Sequence, residues 1–217
     1  MDSKTVFHKP TFDNIPLEKK YNILSVSLKE FSSKGFESAN INVIAKEAGV
    51  SVGSMYKYFG SKKDLFLTTV NLGIEMLETV LGSISEMDCD VMEKLEKLVR
   101  TAVDYSKKQA ELIRLYYEIA SEGNVELIKE LAAKTEAIAA KVYTDAIREG
   151  QKNGEIRKDI SPEIAAFLLD NLIMMIQFSY SCEYYMERFK IFTGESIFEK
   201  DEEAIQSFLK FVKAALK

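Results

Sequence analysis

Only three prolines interrupt this chain of 217 residues, and two of them, Pro16 and Pro162, stand at the start of an apolar periodic stretch rather than inside one. Proline inside a helix removes a backbone donor and clashes with the preceding turn. A chain so nearly free of it, with only ten glycines, can carry helix after helix. Apolar residues make up 47% and charged residues 29%, the proportions of a globular protein with a sizeable core, as one domain or two small ones. The expected fold class is all-α.

Periodicity locates the helices. Leu17, Tyr21, Leu24, Leu28 and Phe31 recur at alternating spacings of four and three, one apolar stripe on a helix from Leu17 to about Lys34 that Gly35 stops. Asn40 is a candidate cap for a short helix with Ile41, Ile44, Ala45 and Ala48 on one face, closed by Gly49. Ser51 caps another short helix through about Lys57. Two short helices joined by a tight glycine turn form the helix-turn-helix pattern, with an ordinary helical hairpin as the plain alternative. The string Ser61-Lys62-Lys63-Asp64 is a capping box for a helix carrying Leu65, Leu72, Met76 and Val80 to about Gly82.

Further along, Asp90 with Glu93 opens a helix with Val91, Leu95, Leu98, Ala102 and Tyr105 on one face. Another spans roughly Ala110 to Ser121. A long one from Val125 to about Lys152 carries Leu127, Leu131, Ile138, Val142 and Ala146 and ends at Gly154. Ser161-Pro162-Glu163 supplies a cap, a first-turn proline and an acid at the positive helix end. The helix that follows is apolar nearly all round (Ile164, Phe167, Leu168, Leu172, Ile173, Met175, Ile176, Phe178), which requires burial on more than one side. Ile205, Phe208, Leu209, Val212 and Leu216 form a last stripe. No strand, repeat or low-complexity stretch is evident.

Several functions lack parts. The closest approach to a membrane span, Ile164 to Tyr180, is broken by Asp170, Asn171 and Gln177. No signal peptide is visible at the N-terminus, so the expected location is the cytoplasm. Cys89 and Cys182 form no metal or redox motif and read as buried apolar fillers. The single histidine, His8, lies in the polar N-terminal stretch, which leaves His-based metal sites and nucleophile–histidine catalysis without ligands or base. The expectation is no catalytic residue, no metal and no cofactor.

Charge is uneven. Residues 1–70 hold ten Lys against seven Asp and Glu, a net of +3, while the remainder holds 19 basic and 27 acidic residues, a net of −8. Between Ser51 and Lys63 stand Lys57, Lys62 and Lys63 and no acid. A basic patch on an acidic body suits a polyanion, although a solvated lysine face would look the same.

The stretch GFESANINVIAKEAGVSVGSMYKYFGSKKDLF, Gly35 to Phe66, resembles the N-terminal signature of the TetR family of bacterial transcriptional regulators: Gly-aromatic, a capped helix, Ile-Ala-x-x-Ala-Gly-Val-Ser-x-Gly-x-x-Tyr-x-Tyr-Phe, then Ser-Lys-x-x-Leu. With the helix before it, the resemblance covers about a third of the chain, and the acidic remainder is similar only in length and helix count. It implies a flexible tail over 1–15, a three-helix helix-turn-helix head over 16–63, and a helical regulatory domain for ligand binding and dimerisation over 64–217. It also implies a homodimer whose recognition helices enter successive major grooves of a pseudo-palindromic double-stranded DNA operator, with half-site centres about 34–36 Å apart per helical turn.

Carried onto this sequence, Asn40 takes the place of the family's usual threonine cap and would bond phosphate. Ser51 would cap the recognition helix and face the backbone or a base edge. Val52 and Ser54 would lie on its exposed first turn, with Gly53 allowing close approach. Tyr56 and Tyr58 match an aromatic pair at the phosphates and groove, Lys57 and Lys62 would neutralise phosphates, and Met55 and Phe59 would be core. Val52 departs from the polar residue many relatives carry; contact with a thymine methyl is the physical substitute.

In relatives, a ligand in the C-terminal domain releases the operator. The implied protein is a ligand-responsive regulator, foremost a repressor. The dimer would form through the helix from Ser161 and the C-terminal helix. Tyr105, Tyr116, Tyr117, Tyr143, Phe167, Met174, Met175, Phe178, Tyr180, Tyr184 and Tyr185 could line a pocket for an unknown effector, apolar or aromatic in character, or simply pack a core. The competing reading is a helical interaction protein with the same head fold and no specific DNA binding.

Overall fold

The computed structural model describes residues 6–121 and 125–217. Among the described residues eleven helices follow one another: α1 (Pro10–Asp13), α2 (Leu17–Ser38), α3 (Ile41–Glu47), α4 (Val52–Tyr58), α5 (Lys62–Ser85), α6 (Val91–Lys108), α7 (Ala110–Ser121), α8 (Val125–Asn153), α9 (Pro162–Ser181), α10 (Glu183–Thr193) and α11 (Asp201–Leu216). No strand occurs among the described residues. The chain divides into two compact units: residues up to Glu75 with Arg114–Ile128, and Met76–Ile113 with Lys129–Lys217. The division falls inside α5, twelve residues beyond the 63/64 boundary expected from sequence.

The first unit is built around α2. Ile23, Leu24, Ser27 and Phe31 are buried on it, whereas Leu17 and Tyr21 are exposed, so the buried face is rotated from the stripe expected from sequence. Gly35 takes φ +70°, a left-handed conformation that kinks the helix before a last turn runs to Ser38. Phe31, Phe36 and Phe66 gather behind the kink, with centroids 4.9 Å apart for Phe31–Phe66 and 5.0 Å for Phe36–Phe66. Burying each such ring stabilises by roughly 1.5–3 kcal/mol.

Residues 6–15 correct the expectation of a flexible tail. Pro10 opens α1, and Phe12 is buried between Tyr58 and Phe59, at centroid distances of 5.8 and 4.8 Å. Phe12 is the one residue of this segment that is buried, and it fastens the segment to the head.

The second unit packs α6 against α9 and α11, and α9 against α10. Its core includes Leu95, Val99, Val103, Tyr143, Ile147, Ile173, Tyr180, Leu209 and Val212. Among the described side chains of α8 the buried apolar ones are Leu131, Ala139, Tyr143 and Ile147, while Ile138 and Val142 only flank them; the side chain of Leu127 lies outside the described residues. α10 has no counterpart in the sequence reading. None of its residues is buried, so no apolar stripe announces it, and only Gly194, at φ +81°, marks its end.

By length and mean hydropathy α5 and α9 could each cross a membrane. In α5 that hydropathy comes largely from core residues such as Leu65, Phe66, Leu67, Val70 and Leu81. In α9 half of it is exposed: Ile164, Phe167 (64% exposed) and Leu168 (56%) face out, and Ala165, Leu169 and Ile173 face the core.

Candidate nucleic-acid interface

Local chemistry builds α3 and α4 from their ends inward. Asn40 is extended, its side chain accepts from the Asn42 amide at 2.9 Å, and its own amide donates to Glu30 Oε1 at 3.1 Å. Gly49 adopts φ +68° in the turn, and the Val50 amide returns to the Ala45 carbonyl at 2.9 Å. Asn22 Nδ2 donates to the Ala48 carbonyl at 2.9 Å, tying the turn to α2. Ser51 Oγ accepts from the Ser54 amide at 3.0 Å and lies 2.9 Å from Ser54 Oγ. Ile44, Ala45, Met55 and Phe59 are buried beneath the pair.

What this leaves outward is a continuous set. Asn40, Ser51, Val52, Gly53, Tyr56 and Lys57 are exposed, Tyr56 by 47%, and Ser54 is half-buried. At Gly53 a side chain would meet nothing closer than Ser51 Oγ at 3.8 Å. The fold therefore does not demand glycine there, and its effect is to bare the backbone of the first turn. Asn42, Val43 and Lys46, which sequence reasoning passed over, share exposure on α3. They stand at the outward positions between Ile41, Ile44 and Ala45, so the helical period could have found them.

Two expected contacts are engaged within the fold. Tyr58 is only 9% exposed; its ring packs on Phe12 and Phe59, and Lys19 Nζ lies 5.7 Å from its centroid. Lys62 Nζ donates to the carbonyls of Glu37 at 2.9 Å and Ala39 at 3.3 Å and sits 4.9 Å from the Phe36 centroid. It closes the end of α2, where a cation is favoured by the helix dipole.

The second unit holds a separate cavity of about 110 Å³ among Leu81, Leu95, Val142, Tyr143, Leu169 and Leu216. Of the aromatic set singled out in the sequence, only Tyr143 lines it. Tyr180 and Phe178 are core, Phe167 and Tyr184 are exposed, and Tyr105, Tyr116, Tyr117, Met174, Met175 and Tyr185 are half-buried. Burial, then the negative charges of Asp170 and Glu136, push the Tyr143 hydroxyl far above its ordinary range. Burial first, and Glu136 second, push the Asp170 carboxyl up to about 6. Among the described residues no group of three His, Cys, Asp or Glu could hold a metal ion.

A capped helix, a left-handed glycine turn and a second capped helix with its outer face free define a DNA-binding protein of the helix-turn-helix class. Residues 23–69 match the family model described as bacterial regulatory proteins, tetR family. The chain is 32% identical over 155 residues to the HTH-type transcriptional repressor SCO4008 of Streptomyces coelicolor, covering 71% of this chain and 76% of that protein. It shares its fold with a TetR-family regulator of Chloroflexus aurantiacus (TM-score 0.71, 21% identity, 97% and 98% of the two chains covered). It is also similar to the regulator FadR of Bacillus subtilis, solved with stearoyl-CoA (TM-score 0.70, 18% identity, 90% and 98% covered).

The chain belongs to the tetR family of bacterial regulatory proteins and is a transcriptional regulator. Members of this family bind DNA and typically dimerise.

Proposed function

We propose that the protein is a cytoplasmic, ligand-responsive repressor that binds a pseudo-palindromic operator as a homodimer, catalyses nothing, and leaves the operator when a small molecule enters its second unit. The observation that carries this reading is the outer face of α4: Ser51, Val52, Gly53, Tyr56 and Lys57 stand exposed on a helix whose inner face, Met55 and Phe59, is fully buried. Such a helix offers a hydroxyl, an apolar contact for a thymine methyl, an amphipathic ring and a phosphate-neutralising cation in two turns. Tyr58 and Lys62, engaged inside the fold, support the head's shape in this reading rather than touching DNA.

The regulatory domain, in this reading, begins within α5. Dimerisation is supported by the exposed apolar residues of α9, Ile164, Phe167 and Leu168, and by Phe211 on α11. A monomer would leave these in water, and a two-fold axis along α9 and α11 would bury them twice. Effector binding is supported by the stearoyl-CoA complex of the FadR relative, which makes acyl thioesters the first class to screen; the apolar cavity of about 110 Å³ is smaller than a ligand pocket of several hundred Å³ and must enlarge to admit one. The effector shifts the protein off DNA only if it binds the released geometry more tightly.

Selection of the purified protein against a random duplex pool tests the reading. A two-fold-symmetric motif is the expected product, with Tyr56→Ala and Lys57→Ala weakening its binding and the salt slope falling by about one for the lysine. Retained DNA without any motif at low salt sinks operator recognition and leaves the head as an interaction module.

A further inference from the structure

The last four carbonyls of a helix have no partner within it and must find one elsewhere. In α4, the helix proposed to read DNA, the Met55 carbonyl accepts from the Phe59 amide at 2.8 Å, the usual internal closure. The other three are taken by the N-terminal segment, more than 45 residues away in sequence. Lys9 Nζ donates to the Tyr56 carbonyl at 2.8 Å, Thr11 Oγ1 donates to the Lys57 carbonyl, and the Lys9 amide donates to the Tyr58 carbonyl at 2.7 Å. Phe12, buried against the rings of Tyr58 and Phe59, anchors the arrangement, and Lys20 Nζ holds the Asp13 carbonyl at 2.8 Å from α2. Ser51 secures the other end of α4.

We infer that Lys9, Thr11 and Phe12 are positioning residues for DNA recognition: they cap the C-terminal end of α4 and so set the orientation in which Ser51, Val52, Tyr56 and Lys57 meet the operator. The inference rests on the DNA-binding reading above. A seven-residue helix makes few internal bonds of its own, and short helices are marginal without external support. The Ser51 cap closes the start of α4 on itself, and the buried Met55 pins its middle to the head. Tyr56 and Lys57, near its end, are the side chains whose direction depends on the last turn, and their carbonyls are the ones the segment holds. The positive charge of Lys9 also sits where the helix dipole favours a cation. Capping residues that reach the helix from outside the reading surface tune specificity without contacting a base.

The experiment uses the full chain and the duplex motif it selects from the random pool, with a scrambled duplex of equal length as control. Affinities for both are measured at several salt concentrations, alongside thermal unfolding, for Thr11→Val, Thr11→Ser and Lys9→Met. Thr11→Val keeps the side-chain shape and removes the donor. Its expected effect is a loss of about five- to tenfold on the motif, little change on the scrambled duplex and an unchanged salt slope. Thr11→Ser restores the donor and recovers motif binding. For Lys9→Met the expected result is again a lower ratio of motif to scrambled affinity.

Equal losses on both duplexes, tracking a lower melting temperature, reduce the segment to general stability and overturn the inference. So does a salt slope that falls by about one in Lys9→Met, which makes Lys9 a direct phosphate contact. Unchanged motif binding in Thr11→Val overturns the cap alone while leaving DNA recognition standing. A wild-type chain that selects no motif removes the reading itself and the cap with it.

Discussion

The two units of this protein use apolar surface in opposite ways. In the first, the buried set around Phe31, Met55, Phe59 and Phe66 is matched to a small head, and the exposed residues of α4 are mainly polar, small or amphipathic. In the second, α9 keeps Ala165, Leu169 and Ile173 for the core and turns Ile164, Phe167 and Leu168 outward. The head is complete as a folded object and incomplete as a chemical one, since its exposed donors and cation suit a polyanion. The body is incomplete as a folded object, since a large apolar face stands in water. Charge divides along the sequence rather than between the units: residues 1–70 carry a net +3, whereas the first unit taken with Arg114–Ile128 is balanced and the second carries the net negative charge.

The polar devices differ too. In the head, serine and asparagine caps and the Lys62 closure satisfy helix ends. In the body, Asp90 and Ser161 cap helix starts in the same way, and charged pairs also join helices. Arg100 makes a two-pronged contact with Glu202 of α11, at 3.0 and 2.8 Å, and Lys107 with Tyr180 holds Asp201. Asp170 is the exception, a half-buried carboxyl acted on by another negative charge.

The comparison can be broken first at the head core. Phe31→Ala should cost about 3–5 kcal/mol of stability, read by denaturant unfolding, because the ring fills the space between Phe36 and Phe66. A loss below about 1 kcal/mol would mean that the head is less tightly packed than its burial indicates. On the body side, Phe167→Glu with Leu168→Glu should convert a dimer to a monomer in sedimentation and abolish tight operator binding, while helix content stays. A double variant that remains dimeric would move the interface away from α9.

Asp170→Asn sharpens the contrast in polar chemistry. The folded-state carboxyl titrates near 6, above its unfolded value, so the folded state holds the proton more tightly. Its contribution is therefore full below the unfolded value and is lost as pH rises to about 6. Removing the charge should stabilise the body at pH 7 by on the order of 2 kcal/mol and flatten the change between pH 4 and 6. Unfolding midpoints across that range check it, and an unaltered pH profile would show that Asp170 is well solvated.

The smallest effects are at the surface. Ser51→Ala should cost about 1 kcal/mol by removing the α4 cap, while Ser51→Asp should retain most of it. Glu202 gives the opposite sign to Asp170. Its hydrogen bonds from Arg100, and then Gln206, hold it down to about 2, so the contact contributes above the usual glutamate range and is lost as pH falls toward 2. Glu202→Gln should remove that acid-side slope, and a slope identical to wild type would assign acid sensitivity to other groups.

Much of this was legible in the chain. Asn40, Ser51, Asp90 and Ser161 each bond an amide two or three residues ahead, so their partners are set by local spacing alone. Gly35, Gly49 and Gly154 stop or kink helices for an equally local reason, a left-handed backbone that side chains resist. The long apolar run of α9 announced burial on more than one side, whereas the single chain buries one face, Ala165, Leu169 and Ile173, and leaves Ile164, Phe167 and Leu168 exposed. α10 was invisible because a helix with no buried residue leaves no periodic apolar signal.

The sequence by itself determined where the capped helices begin, that no strand was to be expected, and that a capped helix pair with a glycine turn lies near the N-terminus; α1 and α10 were not among the helices it showed. Those features depend on residues within a turn of one another. Tertiary structure alone decided that the buried face of α2 excludes Leu17 and Tyr21, that Tyr58 and Lys62 serve the fold, and that Lys9, Thr11 and Phe12 close the end of α4. Each of these depends on which segments meet across tens of residues, and that choice is made by the shape of the assembled core rather than by local spacing.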